Sequence, residues 1–203
     1  MTVIGLDRYV GIDCEMVRCN TENGLARVAI VDHTGKVLYH SYVFQHPKNV
    51  LDYKTDSERR LVGKLTPESG ITKALLKDAP TVETVRKEVI EIIKSKIIVG
   101  HALFNDLAVL QHRHDYEDVR DTALFYPLRE RMGVKTEGMY PGLRAMAKEV
   151  LGRDIQEGAH CPIEDARVTM EIFLKYRADY EKGLADGDDV VSGVPRAHAK
   201  WYW

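Results

Sequence analysis

Asp13 and Glu15 stand two apart in YVGIDCEMV, residues 9–17, a stretch whose other residues read as a buried β-strand. Side chains two apart on a strand leave from one face, so both carboxylates point to the same place. At about 5 Å, two like charges repel by roughly 3 kcal/mol at an effective dielectric near ~20, and a positive charge must offset that cost. Two later stretches place acids beside unusual neighbours: IIVGHALFNDLAVL carries Asp106, and GAHCPIEDARVTMEIF carries His160 and Asp165. Taken singly, Asp106 and Asp165 read as acids at helix starts, and His160 as a structural histidine. Taken together, two acids from a strand and two from helix starts can converge at one sheet edge, where divalent cations would stabilise them. Carboxylate oxygens are the hard ligands that Mg²⁺ and Mn²⁺ prefer.

The elements that must position these residues are legible in the patterning. RYVGID, LARVAIVD and KVLYHSYVF read as an antiparallel meander of three strands, with HTG as turn residues between the second and third. Val82, Val85, Val89 and Ile92 then recur at helical spacing in TVETVRKEVIEIIKSK, and KIIVG follows as a short buried strand. Further helices are predicted in NDLAVLQH, in LRAMAKEVLG and from Pro162 to about Tyr180, with a short strand near EDVRDT. Strands followed by a helix-strand alternation predict an α/β fold, a mixed sheet with helices packed on it. The predicted domain covers residues 1–182. Residues 183–203, rich in Gly, Asp and small residues, are set apart as a C-terminal tail, either flexible or packed back on the domain. Its terminal WYW suits packing on an apolar groove, docking on a partner or stacking on a base.

The 203 residues are 44% hydrophobic and 30% charged with a formal charge of −2, which predicts a single domain and argues against coating nucleic acid by bulk electrostatics. Cys14, Cys19 and Cys161 have no metal-ribbon spacing and fit free thiols in a reducing compartment. The first residues lack the pattern of a secretory signal and no apolar run reaches the roughly 20 residues that span a bilayer, so an intracellular protein with no membrane partner is expected.

The order Asp-x-Glu, then Asp, then His-x-x-x-x-Asp resembles that of the DEDDh class of 3′-to-5′ exonucleases. DCEMV (13–17), GLARVAIVD (24–32), DYKT (52–55), GHALFNDLAVL (100–110), RDT (120–122) and IQEGAHCPIEDARVTM (155–170) resemble its RNA exonuclease 4 and interferon-stimulated exonuclease branch. The resemblance implies a ribonuclease-H-like fold, a five-stranded mixed sheet with helices on both faces. It implies that Asp13, Glu15, Asp106 and Asp165 hold two Mg²⁺ or Mn²⁺ ions and that His160 is the general base. Paired cations can activate a water and stabilise the departing oxygen of a phosphodiester, and an imidazole can accept that water's proton near neutral pH. The implied partners are the 3′ end of single-stranded RNA or DNA and the nucleoside 5′-monophosphate released, with the chain a monomer. A role in ribosomal RNA processing and a nuclear or nucleolar address follow from the same resemblance, although no basic import run supports the address and a cytoplasmic one stays open.

By resemblance Met16 lines the pocket of the terminal nucleotide, though it also reads as a core filler. Lys54 stands where the family often has an arginine near the terminal sugar; lysine keeps the charge and loses the planar fork. His101 joins the substrate contacts or, with Asp121, orients backbone beside the site. The stretch DSERRLVGKLTPE (56–68) extends the family pattern and carries Arg59, Arg60 and Lys64, which could guide a phosphate backbone or form a solvated loop face. Two other readings differ in kind. A haloacid-dehalogenase-type phosphatase would use Asp13 as nucleophile and DGDD (186–189) as its late acidic motif; a non-catalytic nucleic-acid-binding module would keep the fold alone.

Overall fold

In the computed structural model, which describes residues 4–20, 22–52, 69–134, 136, 138–188, 190–191 and 193–202, the apolar phase of the opening stretch forms β1 (Tyr9–Cys19). It runs antiparallel to β2 (Asn23–Asp32), which pairs antiparallel with β3 (Val37–Tyr42). Asp32 closes the second turn: its Oδ1 accepts the N–H groups of Thr34 and Lys36 at 2.8 and 3.1 Å, and Gly35 takes a left-handed φ of +82°.

Two helices, α1 (Lys73–Leu76) and α2 (Val82–Ile93), carry the chain across to β5 (Ile97–Gly100), which pairs parallel with β1. Thr81 starts α2 by accepting the N–H of Thr84 at 3.3 Å, and Val85, Val89 and Ile93, spaced four apart, are fully buried. Removing such a side chain from water stabilises the fold by about 1.5–3 kcal/mol. After α3 (Phe104–Leu110), β6 (Val119–Asp121) pairs parallel with β5, giving the order β3-β2-β1-β5-β6. The helices α4 (Tyr126–Arg131), α5 (Leu143–Leu151) and α6 (Pro162–Asp186) complete the chain's α content among the described residues.

Two expectations are corrected here. The sheet has six strands rather than five, because β4 (Val50–Asp52) pairs antiparallel with the end of β1, Arg18 opposite Asp52 and Cys19 opposite Val50. VLD shows no alternating pattern of its own, and the pairing with β1 reveals this strand. The last helix runs to Asp186, beyond Tyr180, and stops where Gly187 turns left-handed at φ +81°. Gly183 does not end it; the glycine lets Val190 approach so closely that a Cβ there would lie 2.5 Å from Val190 Cγ1.

Alternation along β1 sorts its neighbours. Tyr9 packs on Phe173 of α6 with ring centroids 5.1 Å apart, and a Cβ on Gly11 would lie 2.9 Å from the Ala166 carbonyl oxygen. The phase of Tyr9, Gly11, Asp13 and Glu15 therefore faces α6, which the missing side chain of Gly11 brings close. The opposite phase carries Val10, Ile12 and Cys14, and Cys14 meets α3 through Asp106. Beyond α6, Val191 bridges to Phe125, a 3₁₀ turn (Arg196–Trp201) lies against α3, and Tyr202 is buried. Trp203 of the WYW terminus lies outside the described residues.

Candidate active site

The parallel partner of β1 stops early. β5 pairs with β1 only from Tyr9 to Gly11, so Asp13 and Glu15 extend past the carboxyl end of β5, where ligands bind in open α/β sheets. A backbone N–H left without a strand partner at that depth must find another acceptor. Cys14 does so by donating its N–H to Asp106 Oδ1 at 2.7 Å. That bond draws the first turn of α3 onto β1. Asp106, expected as a possible helix cap, instead ties two elements together.

Asp165 arrives from the opposite face. Pro162 occupies the first turn of α6, and Asp165 follows in that turn, where the helix dipole favours a carboxylate. Its Oδ2 accepts the Gln156 side-chain N–H at 3.0 Å, whereas its Oδ1 is buried with no hydrogen-bond partner. His160, half-buried, lies just before the helix. One ligand atom each from Glu15, His160 and Asp165 lies within 4.8 Å of the others.

The electrostatics show the crowding. Asp13 is pushed well above the usual carboxylate range, first by burial and then by the charges of Asp106, Asp165 and Glu15. Asp106 is pushed up to about 8, chiefly by burial, against the lowering effect of the Cys14 donors. Burial also raises Asp165, while Gln156 and His160 pull it back down. Each shift records a charged form that is unfavourable without a positive partner. An orphaned buried oxygen, four carboxylates and one imidazole fit a site for hard divalent cations.

Asp13, Glu15, Asp106, His160 and Asp165 are thus brought together from β1, α3 and the start of α6. Met16 follows a register shift after Glu15 and is half-buried against the core. Lys54, the rest of DYKT after Asp52, and the 56–68 stretch with Arg59, Arg60 and Lys64 lie outside the described residues. Of the two roles read for His101, the hydrogen bonds show that of a brace. Its Nε2–H donates to the Pro141 carbonyl at 2.8 Å, which leaves Nδ1 to accept the Thr122 hydroxyl at 3.0 Å, and burial pushes its pKa down to about 4. A neutral ring with both nitrogens committed has none to offer a nucleotide.

Asp121 braces the same region more fully than its place in RDT suggests. Wholly buried, it accepts the N–H groups of Ala102, Leu103 and Ala123 at 2.9, 2.9 and 3.0 Å and the Tyr202 hydroxyl at 2.7 Å. Ala102 adopts a left-handed φ of +58°, and these bonds hold that turn at the entry to α3. Gln156 and Tyr202 were not legible as site-supporting residues: a glutamine in a loop and a terminal tyrosine carry no spacing signal.

The phosphatase alternative fails on distance. DGDD begins at Asp186, the last residue of α6, which at about 1.5 Å per residue stands about 30 Å along the helix from Asp165. One cavity, of about 760 Å³ and lined by Ile4, Arg120, Arg177 and Glu181 among others, contains none of the five clustered residues. Arg120 there is bound by both Glu181 oxygens at 2.7 and 2.8 Å.

Comparison with known proteins agrees with this geometry. A family model described as an exonuclease (RNase_T) matches residues 10–173. RNA exonuclease 4 of Aspergillus fumigatus is 39% identical over 87% of this chain and 53% of its own length. RNA exonuclease 4 of Homo sapiens is 35% identical over 90% of this chain and 40% of its own. The interferon-stimulated 20 kDa exonuclease-like 2 protein of Bos taurus is 35% identical over 88% of this chain and 49% of its own. The chain thus spans about half the length, or less, of these relatives. Among solved structures, the Pan2 catalytic unit of Neurospora crassa superposes with a TM-score of 0.66 at 24% identity, covering 92% of this chain and 29% of that one. The Saccharomyces cerevisiae Pan2 module in complex with A7 RNA gives 0.64 at 25% identity, covering 90% and 33%.

Proposed function

We propose that this chain, which belongs to the exonuclease family (RNase_T) over residues 10–173, is a metal-dependent 3′-to-5′ exonuclease that hydrolyses single-stranded RNA, and single-stranded DNA less well, to nucleoside 5′-monophosphates. The observation that carries the reading is the grouping of Glu15, His160 and Asp165 within 4.8 Å, with Asp13 in charge contact with Asp106, Asp165 and Glu15 and the buried Asp165 Oδ1 lacking any donor. A non-catalytic binder of phosphate would gain nothing from that concentration of negative charge.

Asp13, Glu15, Asp106 and Asp165 would hold two Mg²⁺ or Mn²⁺ ions. When bound, paired divalent cations lower the pKa of an attacking water and offset charge on the scissile phosphate and its leaving oxygen. The remaining work belongs to the protein. The Cys14 N–H fixes Asp106, and Gln156 fixes one oxygen of Asp165 while leaving the other for a cation. His160 takes the proton of the attacking water at a ring nitrogen, which suits a group beside two carboxylates and reachable from solvent. By the family resemblance Met16 lines the pocket of the terminal nucleotide. None of the cysteines has to react.

The proposal extends to ribosomal RNA processing as the cellular role, a nuclear or nucleolar address with the cytoplasm as the alternative, and a chain active as a monomer. A time course on 5′-labelled RNA and DNA of equal sequence, with Mg²⁺, Mn²⁺ or chelator, tests the activity. A metal-dependent ladder shortening from the 3′ end is expected. Products unchanged by chelator, or binding of RNA without cleavage in Mn²⁺, would overturn it.

A further inference from the structure

We infer that Arg27 is a phosphate-binding residue of this site and takes the sugar-phosphate strand one linkage upstream of the bond that is cut. The inference rests on the exonuclease reading and adds to it a residue that sets how the strand enters.

The register of the meander provides the placement. Glu15 pairs with Arg27, and Arg27 with Tyr42; Asp13 pairs with Ala29, and Ala29 with His40. Residues directly opposite across antiparallel strands share a face, with Cβ atoms about 4.5–5.5 Å apart. The face that carries the acids therefore continues sideways through Arg27 to the aromatic pair Tyr42 and His40 on the edge strand β3. The body of α6 begins only at Pro162, and Arg27 remains half-exposed beside the helix start.

Arg27 is held in place by neutral groups. Its Nε donates to His40 Nε2 at 2.8 Å, its Nη2 to Cys161 Sγ at 3.8 Å, and its guanidinium carbon lies 5.0 Å from the centroid of the Tyr42 ring. Although directly across from Glu15, Arg27 joins no ion pair with a described residue. A guanidinium ordered beside a carboxylate cluster yet unpaired with it keeps its charge for a ligand, and the planar fork matches phosphate oxygens. Four acids repel a polyanionic strand, and a chain of net charge −2 offers no bulk attraction to counter that. Local cations must supply it. Met16 lies beyond the acids along β1, whereas Arg27 lies lateral to them toward β3. A strand entering across β3 meets Arg27 before it reaches the acids, which assigns this residue the upstream phosphate.

The test is steady-state cleavage of an oligoribonucleotide in Mn²⁺ by wild type and Arg27→Ala, each also given a substrate with one uncharged methylphosphonate placed a single linkage upstream of the 3′-terminal one. Loss of a charge-assisted contact should raise KM by about 10-fold or more while kcat changes by less than about 3-fold. The dependence of log KM on log salt should weaken by about 0.7–1. The methylphosphonate should penalise wild type and leave Arg27→Ala almost unaffected, the signature of a shared contact in a double cycle. A KM and salt slope unchanged by the substitution, or an equal methylphosphonate penalty in both proteins, would overturn the assignment. If Arg27→Ala fails to fold, Arg27→Lys carries the test: the salt slope should persist while KM rises, and an unaltered KM would count against the fork. A wild-type protein that yields no ladder defeats the exonuclease reading itself; a wild-type ladder with Arg27-insensitive kinetics defeats this inference alone.

Discussion

At the scale of single residues, the acids of the cluster oppose one another until something positive arrives. Asp13→Asn removes one of four crowded charges, so the metal-free variant should melt higher than wild type while its nuclease turnover is abolished; near-normal activity would remove Asp13 from the site. The pH dependence follows from the same shifts. An acid whose folded pKa stands above its unfolded value holds extra protons in the folded state, so stability is lost as pH rises between the two values. With Asp106 pushed up to about 8 from its ordinary 3.8, the metal-free protein should lose stability from about pH 4 to about pH 8. Mn²⁺ should raise the melting temperature more at pH 8 than at pH 5, because binding favours the deprotonated acids. Thermal melts at the two pH values, with and without metal, check both signs. His160→Ala should keep metal binding and lose activity by about 10²–10⁴-fold in the labelled-RNA time course.

At the scale of elements, what matters is how closely three of them approach. Gly11 is the contact point between β1 and α6: a Cβ there would lie 2.9 Å from the Ala166 carbonyl oxygen and 3.0 Å from Val31 Cγ2. Neither a backbone carbonyl nor a packed β2 side chain yields easily. Gly11→Ala should therefore cost about 1–3 kcal/mol of stability, and it should weaken Mn²⁺ binding because α6 carries Asp165 away from Asp13 as it shifts. Denaturant melts and metal titration separate the two effects, and a variant with both unchanged would show that α6 has slack there. The strand pairing of the meander was legible from alternation, and α2 and α5 from apolar spacing. β4 and α4 were not, because neither shows a period of its own and each exists only through the neighbours it packs against; β6, as short as β4, was read from EDVRDT.

At the scale of the whole molecule, residues near the C-terminus reach the support of the candidate active site. The Tyr202 hydroxyl donates to Asp121, which holds the turn into α3, and α3 carries Asp106. Asp121 is pushed up to about 6 by burial, so it is ionised at neutral pH and depends on its donors. Tyr202→Phe should cost about 1–3 kcal/mol, with a larger loss at pH 8 than at pH 5, since the hydroxyl stabilises only the charged form. Denaturation at the two pH values reads the difference, and an equal loss at both would mean that the hydroxyl's contribution does not depend on the charge of Asp121.

The amino-acid sequence by itself determined the candidates: which acids and which histidine to look for, and a mixed sheet with helices to carry them. Residue type and local period are written in the chain, and a strand's period of two put Asp13 and Glu15 on one face before any contact was known. Only the tertiary structure decided that Asp106 is tied to the Cys14 backbone, that His101 is spent on Thr122 and Pro141, and that Arg27 lies beside the acids. Those facts depend on where β5 stops, on the register of β2 and on the approach allowed by Gly11. They are relations between segments distant along the chain, set by packing and by the need of each buried polar group for a partner.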